Sequence, residues 1–103
     1  MAFERVARLD EVPEGGIIAV TAGREGIALC RVEGEVYAVS NVCTHDGGAL
    51  DQGETFGYAL ECPRHGSRFD LRTGQVVSPP ALESIRTFPV RVVDGVIEVD
   101  AAS

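Results

Sequence analysis

The chain has 103 residues, a length typical of one domain, and 45% of them are hydrophobic. Nine basic and sixteen acidic residues give a formal net charge of -7, which disfavours binding to nucleic acid or to an anionic membrane surface because both carry negative charge. No apolar run has the length of a signal-peptide core or a membrane span, and three cysteines do not suggest a disulfide framework. We therefore expect a single cytoplasmic domain that spans residues 1–103.

Short runs rich in Val, Ile, Phe and Tyr alternate with Gly, Pro and Asp toward both ends of the chain, a pattern typical of an all-β domain. The predicted strands are residues 3–9, 17–21, 27–32, 35–39, 85–93 and 96–100. Glu33-Gly34 and Asp94-Gly95 suit two-residue hairpin turns. Pro89 has no N–H for a sheet ladder, so it predicts an edge or a bulge in its strand. The expected fold is a set of antiparallel sheets that close toward a sandwich or barrel.

The middle of the chain, residues 42–80, differs from both ends in composition. It contains both histidines, two of the three cysteines, six of the twelve glycines and three of the five prolines. Two short strands are predicted within it, at 58–61 and 68–71, followed by a turn. Functional sites are commonly built from loops on a rigid scaffold. We therefore expect a smaller subdomain of two loops, carried by a base that consists of residues 1–41 and 81–103.

The candidate metal ligands form two pairs, Cys43-x-His45 and Cys62-x-x-His65, with sixteen residues between the pairs. Structural zinc sites usually pair ligands of one type at short spacing, with cysteine near cysteine and histidine near histidine. Here each loop supplies one cysteine and one histidine, which better suits two metal atoms, one bound by both cysteines and the other by both histidines. That is the ligation of a Rieske [2Fe–2S] centre. Cys30 lies in an apolar run and is expected to be a small buried side chain without a metal.

The sequence resembles the Rieske family in three segments. The first is Cys43-Thr44-His45, the second is residues 62–67, and residues 78–81 resemble the proline loop that covers the cluster. The resemblance implies a Rieske (ISP-like) fold and one Rieske-type [2Fe–2S] cluster, with Cys43 and Cys62 on the inner iron and His45 and His65 on the exposed outer iron. It also places eight residues around the cluster, namely Gly47, Gly48, Arg64, Gly66, Ser67, Phe69, Pro79 and Pro80.

Three positions separate this chain from the Rieske proteins of quinol-oxidising complexes. Those proteins carry an extra cysteine in each cluster segment, joined as a disulfide, where this sequence has Gly48 and Arg64. They also carry a tyrosine, whose hydroxyl reaches a cysteine sulfur, where this sequence has Phe69. Ser67 is retained, and hydrogen bonds to cluster sulfur raise the reduction potential. With one such donor present and one absent, we expect a potential in the lower half of the Rieske range.

The chain has no further histidine for a mononuclear iron and too few residues for an oxygenase domain. It is therefore expected to be an electron carrier and not itself an enzyme. It resembles the soluble ferredoxins that pass one electron from an NAD(P)H-dependent flavin reductase to a terminal Rieske oxygenase. Two alternatives remain, the small subunit of an assimilatory nitrite reductase and a cluster-based redox sensor. The docking surface for partners is expected to surround the histidines and to include Asp46, Gly47, Gly48, Arg64 and Pro80.

Overall fold

Three antiparallel sheets make up the fold, and the computed structural model describes them over residues 2–45 and 47–102. The strand orders are β1-β11-β10, β2-β3-β4-β9 and β5-β6-β7-β8. The strands are β1 Glu4–Arg8, β2 Ile17–Ala22, β3 Glu25–Val32, β4 Glu35–Ser40, β5 Glu54–Phe56, β6 Ala59–Glu61, β7 Arg68–Asp70, β8 Val76–Ser78, β9 Thr87–Phe88, β10 Val90–Val93 and β11 Val96–Val99. The all-β prediction is confirmed, and within these residues the helical structure is one 3-10 turn, Leu9–Glu11. No helix in this part of the chain is long and apolar enough to cross a bilayer.

The two predicted hairpin turns have the backbone that their sequences favour. Glu33 and Gly34 both have positive φ, at 51° and 80°, and Asp94 and Gly95 have φ of 51° and 76°. Positive φ at both central residues matches the right-handed twist of the flanking strands. These turns join β3 to β4 and β10 to β11.

The predicted strand 85–93 is not one strand, because the chain changes sheet at Pro89. β9 pairs with β4, whereas β10 pairs with β11. Pro89 cannot donate to a ladder, and its carbonyl instead accepts a hydrogen bond from the Asp100 N–H at 3.1 Å. The prediction of a bulge or edge at this proline was thus correct in position, while the prediction of a continuous strand was wrong.

Strand β3 is buried on both faces and separates two hydrophobic cores. Ile27 and Leu29 point into the core of the base, and Ala28 and Cys30 point into a second core under the loops. Successive side chains of a strand point to opposite faces, so one strand serves both cores. Burial raises the pKa of the Cys30 thiol to about 12, which keeps it protonated at neutral pH. This environment agrees with the predicted role of Cys30 as a small buried side chain.

Side-chain hydrogen bonds join the sheet β5-β6-β7-β8 to the base. The Tyr58 hydroxyl bonds to the Glu33 carboxylate, and this hydrogen bond raises the pKa of Tyr58 above its usual value. The Thr55 hydroxyl donates to the Gly15 carbonyl at 3.0 Å. All four strands of this sheet lie within residues 42–80. The predicted boundaries, residues 1–41 and 81–103 for the base and 42–80 for the subdomain, are compatible with this strand order and stay a prediction.

Candidate metal centre

The first candidate ligand loop follows β4 and folds back on itself through two backbone hydrogen bonds. The Cys43 N–H donates to the Gly48 carbonyl, and the Gly47 N–H donates to the Cys43 carbonyl, both at 2.8 Å. Gly47 has φ of 76°, a conformation that glycine adopts without steric cost. The loop is also held from below by Asn41, whose side-chain oxygen accepts from the N–H groups of residues 50 and 51 at 2.8 Å.

The second candidate ligand loop connects β6 to β7 and has the same backbone pattern. The Cys62 N–H donates to the Ser67 carbonyl at 2.7 Å, and the Gly66 N–H donates to the Cys62 carbonyl at 3.2 Å. Gly66 has φ of 77°, close to the value of its counterpart in the first loop. In each loop the glycine lies four residues after the cysteine, so the two turns are equivalent although the histidines are spaced differently.

The four candidate ligands differ in solvent exposure. Cys43 and Cys62 are each 1% exposed, whereas His45 and His65 are exposed. The two imidazole rings lie with their centroids 5.1 Å apart and nearly perpendicular, at 87°. None of the cysteines forms a disulfide. Two thiols inside and two imidazoles outside is the donor set that a Rieske cluster requires, since one iron takes two sulfurs and the other two nitrogens.

A mononuclear site was the competing interpretation of these residues. Over residues 2–45 and 47–102, no three His, Cys, Asp or Glu side chains are grouped as a single-ion site. A Rieske cluster does not require such a group, because each iron takes only two protein ligands and sulfide bridges complete its coordination. The fit to a two-iron cluster rests on the donor set itself, two buried thiols and two exposed imidazoles.

Ser67 and Phe69 lie beneath the second loop and are both fully buried. The Ser67 Oγ accepts a hydrogen bond from the Ala81 N–H at 3.0 Å. Its hydroxyl hydrogen can therefore be donated to another acceptor. Phe69, in β7, packs in the core beside the cysteines and has no hydroxyl to offer. Pro79 and Pro80 follow β8, are exposed and are joined by a cis peptide bond.

The structure places one exposed residue near the candidate ligand loops that the sequence did not indicate, and one residue that was predicted there cannot be placed. Asp46 lies outside the described residues. Leu82, just past the proline loop, is 91% exposed. The Thr44 hydroxyl, between the first cysteine and histidine, donates to the Glu83 carbonyl at 2.6 Å. A single leucine in a loop carries no pattern that predicts exposure, so only the fold reveals its place beside the ligand loops.

Comparisons with known proteins agree with this geometry. The family model described as "Rieske [2Fe-2S] domain" matches residues 2–89. The chain is 42% identical over 86 residues to the ferredoxin component of the naphthalene 1,2-dioxygenase/salicylate 5-hydroxylase systems of Ralstonia sp., an alignment that covers 84% of this chain and 83% of the relative.

Two solved structures share the fold over almost the whole chain. The ferredoxin of carbazole 1,9a-dioxygenase from Nocardioides aromaticivorans IC177 is 34% identical with a TM-score of 0.92, covering 96% of this chain and 97% of the other. A ferredoxin in a complex of reduced oxygenase and oxidized ferredoxin in carbazole 1,9a-dioxygenase is 32% identical with a TM-score of 0.88, covering 94% of this chain and 91% of the other.

Proposed function

Because the chain belongs to the Rieske [2Fe–2S] domain family, we propose that it is a one-electron carrier between a flavin-dependent reductase and a terminal Rieske oxygenase. The observation that carries this proposal is the pair of equivalent loops that bury two cysteines and expose two histidines. Relatives named as ferredoxin components of dioxygenase systems support the same function. The family implies one Rieske-type cluster per chain, and the chain acts as an electron carrier and not as the oxygenase.

Cys43 and Cys62 are proposed to hold the inner iron as thiolates, and His45 and His65 the outer iron through imidazole nitrogen. When bound, the cluster supplies reversible one-electron oxidation and reduction. The buried cysteines keep water from the sulfur side, because both are 1% exposed. The histidines bring the redox centre to the surface, where a partner can approach it closely.

The proposed docking surface is the histidine face, which consists of His45, His65, Arg64, Pro80 and Leu82. All five side chains are exposed. Leucine and proline offer apolar area that gains free energy when a partner covers it, and the arginine offers a directional contact at the edge. A small apolar contact of this kind suits a carrier, which must bind two partners in turn and release each. The cytoplasm, where such a reductase would have NAD(P)H, is the proposed location.

The function is tested by reconstituting electron flow from NAD(P)H through a flavin reductase and the purified holo chain to a terminal oxygenase. We expect oxygenase reduction to depend on the chain. The Leu82→Asp variant should lower the second-order rate constant about tenfold, because it places a charge where the partner is expected to cover the leucine, an apolar contact worth about 1.4 kcal/mol or more. Stopped-flow absorbance of the oxidised and reduced chain measures the rate.

Val93→Asp is the matched control, because Val93 is a 45% exposed residue of β10 in the base. This variant should transfer electrons at the wild-type rate. Equal slowing by both variants would mean that acidity and not the histidine face controls docking. No transfer by the wild-type chain, when its cluster is loaded, would reject the carrier function with these partners.

We expect Ser67→Ala to lower the reduction potential by about 60 mV, which is about 1.4 kcal/mol for a one-electron couple. The Ser67 hydroxyl is proposed to donate to a cluster sulfur and thereby stabilise the more negative reduced state. The measurement is a redox titration followed by EPR, with iron content confirming equal loading. If Ser67 served only to satisfy the Ala81 N–H, the variant would be less stable but its potential would not change.

A further inference from the structure

Residues 81–83, which we call the bridge segment, make hydrogen bonds to both candidate ligand loops. At its start, the Ala81 N–H donates to the buried Ser67 Oγ at 3.0 Å. At its end, the Glu83 carbonyl accepts from the Thr44 hydroxyl at 2.6 Å. Consecutive Cα atoms are 3.8 Å apart, so the segment spans at most roughly 7 Å between its ends. It therefore ties the first loop to the second loop over a short distance.

The bridge segment is itself anchored in the fold. Ala81 is 2% exposed and belongs to the core that contains both ligand cysteines. Two residues beyond the segment, Ile85 is buried in the same core, and its N–H donates to the Gly74 carbonyl at 2.8 Å. Leu82, between the two hydrogen bonds, points to solvent. The backbone of the segment is therefore fixed at each side of an exposed leucine.

We propose that this bridge is a cross-link between the ligand loops and that Thr44 is its positioning residue. Cys30, Cys43 and Cys62, the three cysteines of the chain, form no disulfide, so no disulfide joins the two loops. The Thr44 hydroxyl contacts Glu83, so it would affect the cluster only indirectly, by fixing where the two loops lie. The part of the inference that concerns cluster retention rests on the proposed function, while the bridge itself does not.

A bridge that holds the loops at their binding separation slows the opening through which iron is lost. The site keeps its ligand geometry because residues outside the ligand set restrain it, as supporting groups do around other metal sites. Removal of the Thr44 hydrogen bond should raise the fraction of molecules in which the two loops have separated about fivefold, the equivalent of about 1 kcal/mol. The reduction potential should stay unchanged, because the Thr44 hydroxyl is directed at the Glu83 carbonyl.

The test compares Thr44→Val, which keeps the side-chain shape, with Thr44→Ser, which keeps the hydroxyl. We expect the valine variant of the holo protein to release iron to a chelator about fivefold faster, and its amides at 81–85 to exchange hydrogen about fivefold faster. The serine variant should match wild type in both, and redox titration should give one potential for all three proteins.

Three results would overturn the bridge. The first is that Thr44→Val releases iron and exchanges hydrogen at wild-type rates, and the second is that Thr44→Ser is as fast as Thr44→Val. The third is that the reduction potential shifts in Thr44→Val. The last would mean that Thr44 acts on the cluster directly. Hydrogen exchange does not require a cluster, so it separates the two ideas. If the wild-type chain bound no iron and the valine variant still exchanged faster at 81–85, the proposed function would fail while the bridge stood.

Discussion

The Cys62→Ser variant is expected to be purified without its cluster, with iron falling from about two atoms per chain to near zero. Serine keeps the size of the side chain but replaces a thiolate by a hydroxyl that stays protonated at neutral pH, and thiolate is the form that binds iron. Cys62 is 1% exposed, so water has little room to take the vacant coordination position. Iron and acid-labile sulfide analysis, with EPR of the dithionite-reduced protein, measures the loss.

Cys30→Ala is the control, because Cys30 is fully buried in the same core as Cys62 and is not a proposed ligand. It should keep both irons, both sulfides and the Rieske EPR signal, at a modest cost in stability from the small cavity. Loss of iron from both variants to the same extent would indicate general unfolding and not ligation. A wild-type chain that held one zinc and no sulfide would reject the cluster altogether.

The candidate ligand residues could be proposed from the sequence because their spacing is local. Cys43 and His45 lie within one turn of chain, as do Cys62 and His65, and each cysteine is followed four residues later by a glycine with positive φ. The hairpins at residues 33–34 and 94–95 were predictable for the same reason, since a two-residue turn depends on its own backbone angles.

Features that depend on distant contacts were not predictable. Strands β5 and β8 were not predicted from the sequence, although β6 and β7, which are equally short, were. A run of three residues shows no detectable alternation, so its pattern alone does not decide whether it is a strand. The Thr44 hydrogen bond joins residues 39 positions apart. Pro89 predicted an interruption, but which sheet each side joins depends on packing against β4 and β11. The sequence thus predicts the set of ligands, which stays a prediction, whereas the contacts that join the two loops are visible only in the folded chain.

The site owes its position to the two-sided burial of β3. Ala28 and Cys30 face the core that contains Cys43 and Cys62. The candidate ligand loops therefore share a core with the strand that forms the centre of the base. Unfolding of that core would expose the cysteines together with the strand. A substitution that removes contacts between the predicted subdomain and the base should therefore lower both the stability of the fold and the retention of the cluster.

Gly74→Ala is expected to lower the thermal midpoint of the holo protein by about 15 °C, from a loss of about 3 kcal/mol in a domain of this size. Gly74 has φ of 80°, and an added Cβ would lie 2.2 Å from the Ile85 carbonyl oxygen and 3.2 Å from the Thr87 Cγ2. The backbone oxygen cannot move without disturbing the Ile85 N–H bond to the Gly74 carbonyl at 2.8 Å. This contact joins Gly74 of the predicted subdomain to Ile85 of the predicted base.

Gly34→Ala separates the steric contact from the backbone conformation, because Gly34 has the same φ of 80° but no atom within 4 Å of an added Cβ. It should lower the midpoint by only about 5 °C, the cost of about 1 kcal/mol for alanine in the left-handed region. Circular dichroism at one scan rate compares the two variants. Gly74→Ala should also release iron faster than Gly34→Ala, since Ile85 anchors the bridge segment. Equal midpoints and equal iron release in the two variants would contradict the role of the Gly74–Ile85 contact.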